Sequence, residues 1–327
     1  MAILVDPGTS FTTLPPSDLA APVPVATSPA HLGAPPLPGA TTTGHPSAPS
    51  PAWSMFDIEP LPAPYPRVAV PYGQRTGPWA IAHRGGLANA PENTVAAFAR
   101  ATDAGLTYLE TDVRVTADGV PVAFHDATLD RVTDLVGPVG ARTWVELATA
   151  RVLGAEPITR IDDLLARFPD SRFIVDVKEA AAIGPLVDAV RRTRAADRVC
   201  VAGGFDGWLA EIRDRTGVAS ALGWRALLRL YLCAMSGVRP PREIAAGGDF
   251  AHAAWRLGRL ALMANPRVAD RLVGMAHDLR LRVVAWTVDA PDDVRRLLDQ
   301  GVDGIIADDA ETLVGTFASV GRAPAGP

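Results

Sequence analysis

The chain has 327 residues, a formal net charge of −5 and 48% hydrophobic residues, enough apolar material for one large or two ordinary domains with a buried core. It has no basic excess to favour nucleic acid as a partner. Its two cysteines, Cys200 and Cys233, are too few for a disulfide framework, and Cys200 sits in an apolar run, RVCVAGG, that reads as core packing.

Residues 1–66 contain no Lys or Arg, carry about half of the chain's prolines, and are otherwise mostly Ala, Thr, Ser and Gly. Such a segment buries too little apolar surface to offset its ordering entropy, which predicts a disordered Pro/Ala/Thr-rich tail. Asp6, Asp18, Asp57 and Glu59 lie in it, so the remaining chain is nearly neutral. The opening MAILVDPGTSFTTLPP lacks the basic n-region of a secretory signal, which predicts a cytoplasmic location. Residues 67–320 are predicted to form one domain, and 321–327 a disordered C-terminal end.

From Trp79 onward, short apolar runs alternate with helical patterns, the sign of βα units and a parallel sheet. Strand-like runs are Trp79–His83, Tyr108–Val115, Val120–His125, Phe173–Val177, Val199–Ala202, Ala219–Gly223, Val283–Val288 and Gly304–Ala307. A helix capped by Asn93 or Thr94 and ended by Gly105 follows the first run. Further helical patterns cover Ile161–Phe168, Pro185–Arg194, Trp208–Arg215, Pro266–Arg280, Asp292–Gln300 and Glu311–Val320. About eight strands over roughly 250 residues fit an α/β fold, a (β/α)8 TIM barrel, better than a doubly wound sheet, which would show a Gly-rich dinucleotide turn. Two stretches are irregular for a barrel. Ala117-Asp118-Gly119 reads as a hairpin-like turn between the second and third runs, and Arg225–Ala254 is too long for one loop. Ala219–Val238 is lipophilic but interrupted by Arg225 and Arg229 and too short for a transmembrane segment. It reads as an amphipathic helix or small insertion, which leaves peripheral membrane contact open.

In such a barrel, catalytic groups lie at the C-terminal ends of the strands. His83 closes the first run, His125 closes the third, and Asp176 lies near the end of FIVDVK. Glu110 and Asp112 are two residues apart on one strand, so both point into the barrel. Two carboxylates sharing an interior face repel unless a cation lies between them, and an all-oxygen set suits Mg²⁺ or Ca²⁺ better than zinc. Lys178 is the chain's only lysine among 31 basic residues, which suggests that a compact point charge is needed at that strand end, as for a phosphate. Arg84 reads as a phosphate ligand or an ion-pair partner, and Trp286 as a wall for the alcohol moiety or as core. His252 and His277 read as structural.

These residues resemble the bacterial glycerophosphodiester phosphodiesterase family. Its pattern appears as His83-Arg84-Gly85, Pro91-Glu92-Asn93-Thr94, Glu110-Thr111-Asp112 and His125-Asp126, with further similarity at Ile158–Leu165, FIVDVK, WTV and GVDGIIADD, covering nearly all of 79–315. The resemblance implies a divalent metal held by Glu110, Asp112 and Asp176, with His83 and His125 as the acid/base pair. One position departs from it: the family usually carries Glu where this chain has Asp176, whereas the related sphingomyelinase-D-type phospholipases resemble the pattern with Asp at that point. The implied reaction is metal-dependent hydrolysis of a small-molecule glycerophosphodiester to sn-glycerol 3-phosphate and an alcohol, with His125 assigned as the acid. Two other readings are a lysophospholipase-D-like enzyme, motivated by Ala219–Val238 at the barrel mouth, and a non-catalytic phosphate-ester binder on the same barrel. Head-group preference and oligomeric state are not legible.

Overall fold

The computed structural model describes residues 72, 73 and 77–322. The expected N-terminal tail and residues 323–327 lie outside the described residues, whereas Arg322 is described and its N–H donates to Phe317 O.

Eight parallel strands form the sheet: β1 (Trp79–Ala82), β2 (Tyr108–Val115), β5 (Arg172–Val177), β6 (Val199–Gly203), β7 (Ala219–Ser220), β8 (Phe250–Ala254), β9 (Arg282–Trp286) and β10 (Gly304–Ala307). Their order runs β8, β9, β10, β1, β2, β5, β6, β7. An Ala221–Phe250 parallel bridge closes the seam between β7 and β8, supported by Leu222 N–H to Phe250 O at 2.7 Å and Asp249 N–H to Ser220 O at 2.7 Å. The fold is a TIM barrel, as the alternation of runs and helices predicts.

The expected strand set is corrected at one member. Val120–His125 contributes only β3 (Pro121–Ala123), which pairs antiparallel with β2 and with β4 (Thr159–Arg160), outside the barrel path. The eighth barrel strand is instead β8, FAHAA, inside the stretch that looked too long for a loop. Its alanines carry little strand preference. What makes it a strand is pairing with β9 from Phe250–Arg282 to Ala254–Trp286, some thirty residues away.

Besides a single turn at Trp144–Leu147, the helices are α1 (Val95–Asp103), α2 (Ile161–Arg167), α3 (Ile183–Arg192), α4 (Asp206–Thr216), α5 (Trp224–Ser236), α6 (Pro266–Asp278), α7 (Pro291–Asp299) and α8 (Ala310–Ser319). Thr94 is the N-cap of α1, its Oγ accepting from Ala97 N–H at 3.3 Å, while Asn93 does other work. The apolar faces of these helices and the outward faces of the strands form one continuous core. No helix among the described residues is long and apolar enough to cross a membrane.

Inside the barrel a second cluster stacks on the period-2 faces of the strands. Its floor is aromatic: Trp79 stacks on Tyr108 at 5.4 Å, Tyr72 meets Tyr108 and Phe250 edge-on, and the Arg172 and Arg282 guanidiniums lie 5.5 and 5.3 Å from the Tyr108 and Trp79 rings. Ile81, Ile174, Val284 and Ile306 follow in the next layer. The same faces continue upward to His83, Glu110, Asp112, Asp176 and Asp308, so the barrel is apolar below and ionisable above.

Trp79 is fully buried in the floor. Trp79→Ala is expected to lower unfolding free energy by about 3–5 kcal/mol in urea titrations, whereas Val145→Ser, at a 77% exposed position, should change it by no more than about 0.5 kcal/mol.

Candidate active site

The first site element is the turn that ends β1. The chain leaves Ala82 through a short 3-10 turn, His83–Gly85, in which Arg84 and Gly85 have φ of 50° and 83°. A Cβ on Gly85 would lie 2.8 Å from the Ala97 Cβ, so glycine lets the turn pack against α1. The turn aims His83 inward. Its Nδ1 meets Asp308 Oδ1 at 2.5 Å and its Nε2 lies 3.9 Å from Glu110 Oε2. Burial works against the charged imidazole, but the hydrogen bond to Asp308 and the Glu110 charge outweigh it and raise the His83 pKa.

Glu110 and Asp112 point inward from β2, and Asp176 is the register partner of Asp112 on β5. These three carboxylates offer oxygens that lie within 4.8 Å of one another. Around them the fold supplies donors. Arg84 N–H donates to Glu110 at 2.9 Å, Asn93 Nδ2 to Asp112 at 2.9 Å, and Thr111 Oγ holds Asn93 Oδ1 at 2.8 Å. Lys178 Nζ bridges Asp112 at 2.9 Å and Asp176 at 2.8 Å.

Burial and the Asp112 charge push the Glu110 carboxyl up to about 7. Burial would raise Asp112 too, but Lys178 and Arg84 hold it well below the usual carboxylate range. The cluster therefore holds more carboxylate than its own ammonium compensates. An oxygen-only, part-buried set with residual negative charge fits a hard divalent cation.

The second imidazole enters on the loop after β3. His125 Nδ1 meets Asp126 Oδ1 at 2.6 Å, and its carbonyl accepts from Arg114 Nε at 3.0 Å. Burial lowers the His125 pKa, opposed by Asp112 and aided by Lys178 and Arg84. Behind it runs a chain of charge-assisted hydrogen bonds. Arg131 Nε donates to Asp126 at 2.5 Å, and its two terminal nitrogens donate to both Glu92 oxygens at 2.8 and 2.7 Å. Glu92 also accepts from Arg84 at 2.9 Å, and Arg84 Nε stands 3.3 Å from Asp112 Oδ2 outside hydrogen-bond geometry. That chain links the His125 loop to the carboxylate cluster.

The structure thus brings His83, His125, Glu110, Asp112, Asp176, Arg84 and Lys178 to the C-terminal end of the barrel. Arg84 is an ion-pair partner of Glu92 that still has a buried Nε without a hydrogen-bond partner. Trp286 ends β9 half-buried, with Nε1 donating to His252 O at 3.0 Å. His252 lies buried on the inward face of β8, and His277 pairs with Asp303 at 2.8 Å. Sequence reasoning missed Asp308, Glu92, Asn93, Asp126 and Arg131 as parts of the site. Asp308 had a signal, because it follows Ile306 by the same two-residue step that takes Ile81 to His83. The partnership of Glu92 with Arg131, 39 residues apart, had none.

Comparison with known proteins gives the family. Residues 83–312 match the model of the glycerophosphoryl diester phosphodiesterase family. The chain is 36% identical over 247 residues to "Probable glycerophosphodiester phosphodiesterase 2" of Mycobacterium tuberculosis, covering 72% of this chain and 88% of that one. It is 31% identical over 251 residues to a glycerophosphodiester phosphodiesterase of Caldanaerobacter subterraneus, covering 72% and 95%. Two solved structures share the fold. One is a glycerophosphodiester phosphodiesterase from Agrobacterium tumefaciens, with TM-score 0.59 and 21% identity over 72% of this chain and 99% of that one. The other is a phosphodiesterase from Oleispira antarctica, solved with its product sn-glycerol-3-phosphate, with TM-score 0.60 and 20% identity over 74% and 97%. The chain belongs to the glycerophosphoryl diester phosphodiesterase family and is a phosphoric diester hydrolase.

Proposed function

We propose that the chain hydrolyses glycerophosphodiesters to sn-glycerol 3-phosphate and a free alcohol, the product class bound by the Oleispira relative. The observation that carries this reading is a pair of imidazoles, each oriented by its own carboxylate, beside a part-buried cluster of three further carboxylates. Glu110, Asp112 and Asp176 would hold a divalent cation, Mg²⁺ or Ca²⁺. Such an ion supplies Lewis-acid stabilisation of the charge that builds on phosphoryl oxygens.

The remaining chemistry belongs to the chain's own groups. Lys178 and the Arg84 guanidinium, both beside Asp112, contribute positive charge near where a phosphodiester anion would lie. One imidazole takes the proton of the nucleophile, either water or the neighbouring glycerol hydroxyl, as its oxygen bonds to phosphorus; in the second case water must then open the cyclic phosphate to give sn-glycerol 3-phosphate. The other gives a proton to the alkoxide released when the phosphorus–oxygen bond breaks. Asp308 and Asp126 hold Nδ1 of His83 and His125 respectively, which fixes each ring for transfer at Nε2. Trp286, at the rim, would border the alcohol.

The lysophospholipid reading placed Ala219–Val238 at the barrel mouth. In the structure most of that stretch is α5, with Leu227, Leu230 and Tyr231 packed into the core and its exposed side chains on the opposite face. The helix thus turns its inner apolar side chains to the core, which supports placing the diester reading first.

The direct test is choline release from glycerophosphocholine by the full chain with Mg²⁺, Ca²⁺ or Mn²⁺ and a chelator control, with phosphorus NMR identifying the product. Cation-dependent formation of sn-glycerol 3-phosphate is expected. Binding without turnover would overturn the reading, and preference for lysophosphatidylcholine would replace it. His83→Ala and His125→Ala should each lower kcat by about 10²–10⁴-fold with circular dichroism unchanged; near-normal turnover in either variant excludes the two-histidine mechanism. Arg131→Ala should lower kcat about 10–100-fold by releasing the Asp126 that orients His125, with KM little altered. Partial recovery in Arg131→Lys or with added guanidinium would mark a positioning role, and no loss in Arg131→Ala would exclude one.

A further inference from the structure

We propose that the outer face of α5, with the arginines beside it, docks on an anionic phospholipid surface. Trp224, Leu228, Leu232 and Met235 recur at helical spacing, so they form one stripe along the helix. All four are exposed, at 37%, 41%, 52% and 40%, and Val238 continues the stripe at 62%. Among the described residues, these are five of the ten large apolar side chains left well exposed. Their concentration in fifteen consecutive residues, four on the helix and Val238 just past its Gly237 cap, is a patch rather than ordinary surface scatter. The inner face of the same helix is already satisfied by Leu227, Leu230, Tyr231 and Ala234 in the core.

Charge selects the occupant. No acidic residue lies between Asp214 and Glu243, whereas Arg225, Arg229, Arg239 and Arg242 all do and all are exposed. None of these four arginines forms an ion pair with a described residue. Beyond the C-terminal end of α5, Arg239, Arg242 and Arg280 line a cleft of about 370 Å³, with Asp278 as its one acidic wall residue. An apolar stripe flanked by unpaired guanidiniums is the composition of an interfacial helix: the apolar side chains enter the acyl boundary and the arginines reach the phosphates. Arg–phosphate pairing is frequently bidentate, which adds geometric fit to the charge attraction.

Area argues against a protein partner of the stripe alone. A helix of this length is about 20 Å long and about 10 Å wide, so its face is on the order of 200 Å², well short of the roughly 800 Å² per partner of a stable interface. A fluid lipid surface imposes no such minimum. The stripe starts at the catalytic end of the barrel, where Trp224 N–H donates to Gly204 O at 3.0 Å in the loop after β6. Docking there would bring the site close to the membrane without inserting the chain.

The test is sedimentation of the full chain with vesicles made of equal parts phosphatidylglycerol and phosphatidylcholine, or of phosphatidylcholine alone. The protein should pellet with the anionic vesicles and be released by salt. Leu228→Ser with Leu232→Ser, and separately Arg225→Glu with Arg229→Glu, should weaken binding by at least about tenfold. Turnover of soluble glycerophosphocholine should be unchanged in both variants, which shows that they fold and separates this surface from the catalytic reading. Failure to pellet with anionic vesicles, or equal pelleting of the variants, would overturn the proposal. So would a dimer in solution that the leucine substitutions convert to a monomer, since the stripe would then be a self-association surface.

Discussion

The rest of the site is organised around one electrostatic problem, two carboxylates pointing the same way from one buried strand. Glu110 and Asp112 are 5% and 1% exposed, and neither can stay charged there without compensation. Asp112 receives it from Lys178, Arg84 and Asn93. Glu110 has one backbone N–H from Arg84 and a distant imidazole, and its carboxyl is pushed up accordingly. The asymmetry leaves room for one further positive charge beside Asp176, which is why the cluster fits a cation and not merely an internal salt bridge.

The same problem explains the shape of the turn after β1. Arg84 serves Glu110 through its backbone and Glu92 through its side chain, and it stands beside Asp112, which requires a left-handed backbone at that residue. Asn93 is also left-handed, a conformation asparagine tolerates better than most residues, and its amide reads both Thr111 and Asp112. Strain at these two positions is stabilised by the hydrogen bonds it makes available. Glu92 and Arg131 carry the order on to Asp126 and so to His125.

Much of this was legible from local rules. Alternation along β2 put Glu110 and Asp112 on one face, strand ends located His83 and Asp176, and the singular Lys178 marked a point charge that in fact bridges two of the acids. Local rules failed where pairing partners lie far apart in sequence. FAHAA became a barrel strand only against β9, and Val120–His125 left the barrel because the Asp118-Gly119 turn folds it back on β2. Asp308 reaches His83 across 225 residues, a contact that exists only because β10 lies beside β1.

By itself the sequence determined the barrel class, the inward faces of the strands and the family, because period-2 and helical patterning act within a few residues and the motif residues lie in short runs. Tertiary structure decided which run is the eighth strand, which carboxylate orients each histidine, and that α5 leaves an apolar, arginine-flanked face uncovered. The first two outcomes depend on the ring closing, so that groups remote along the chain share one part-buried end of the barrel. No local pattern encodes that neighbourhood.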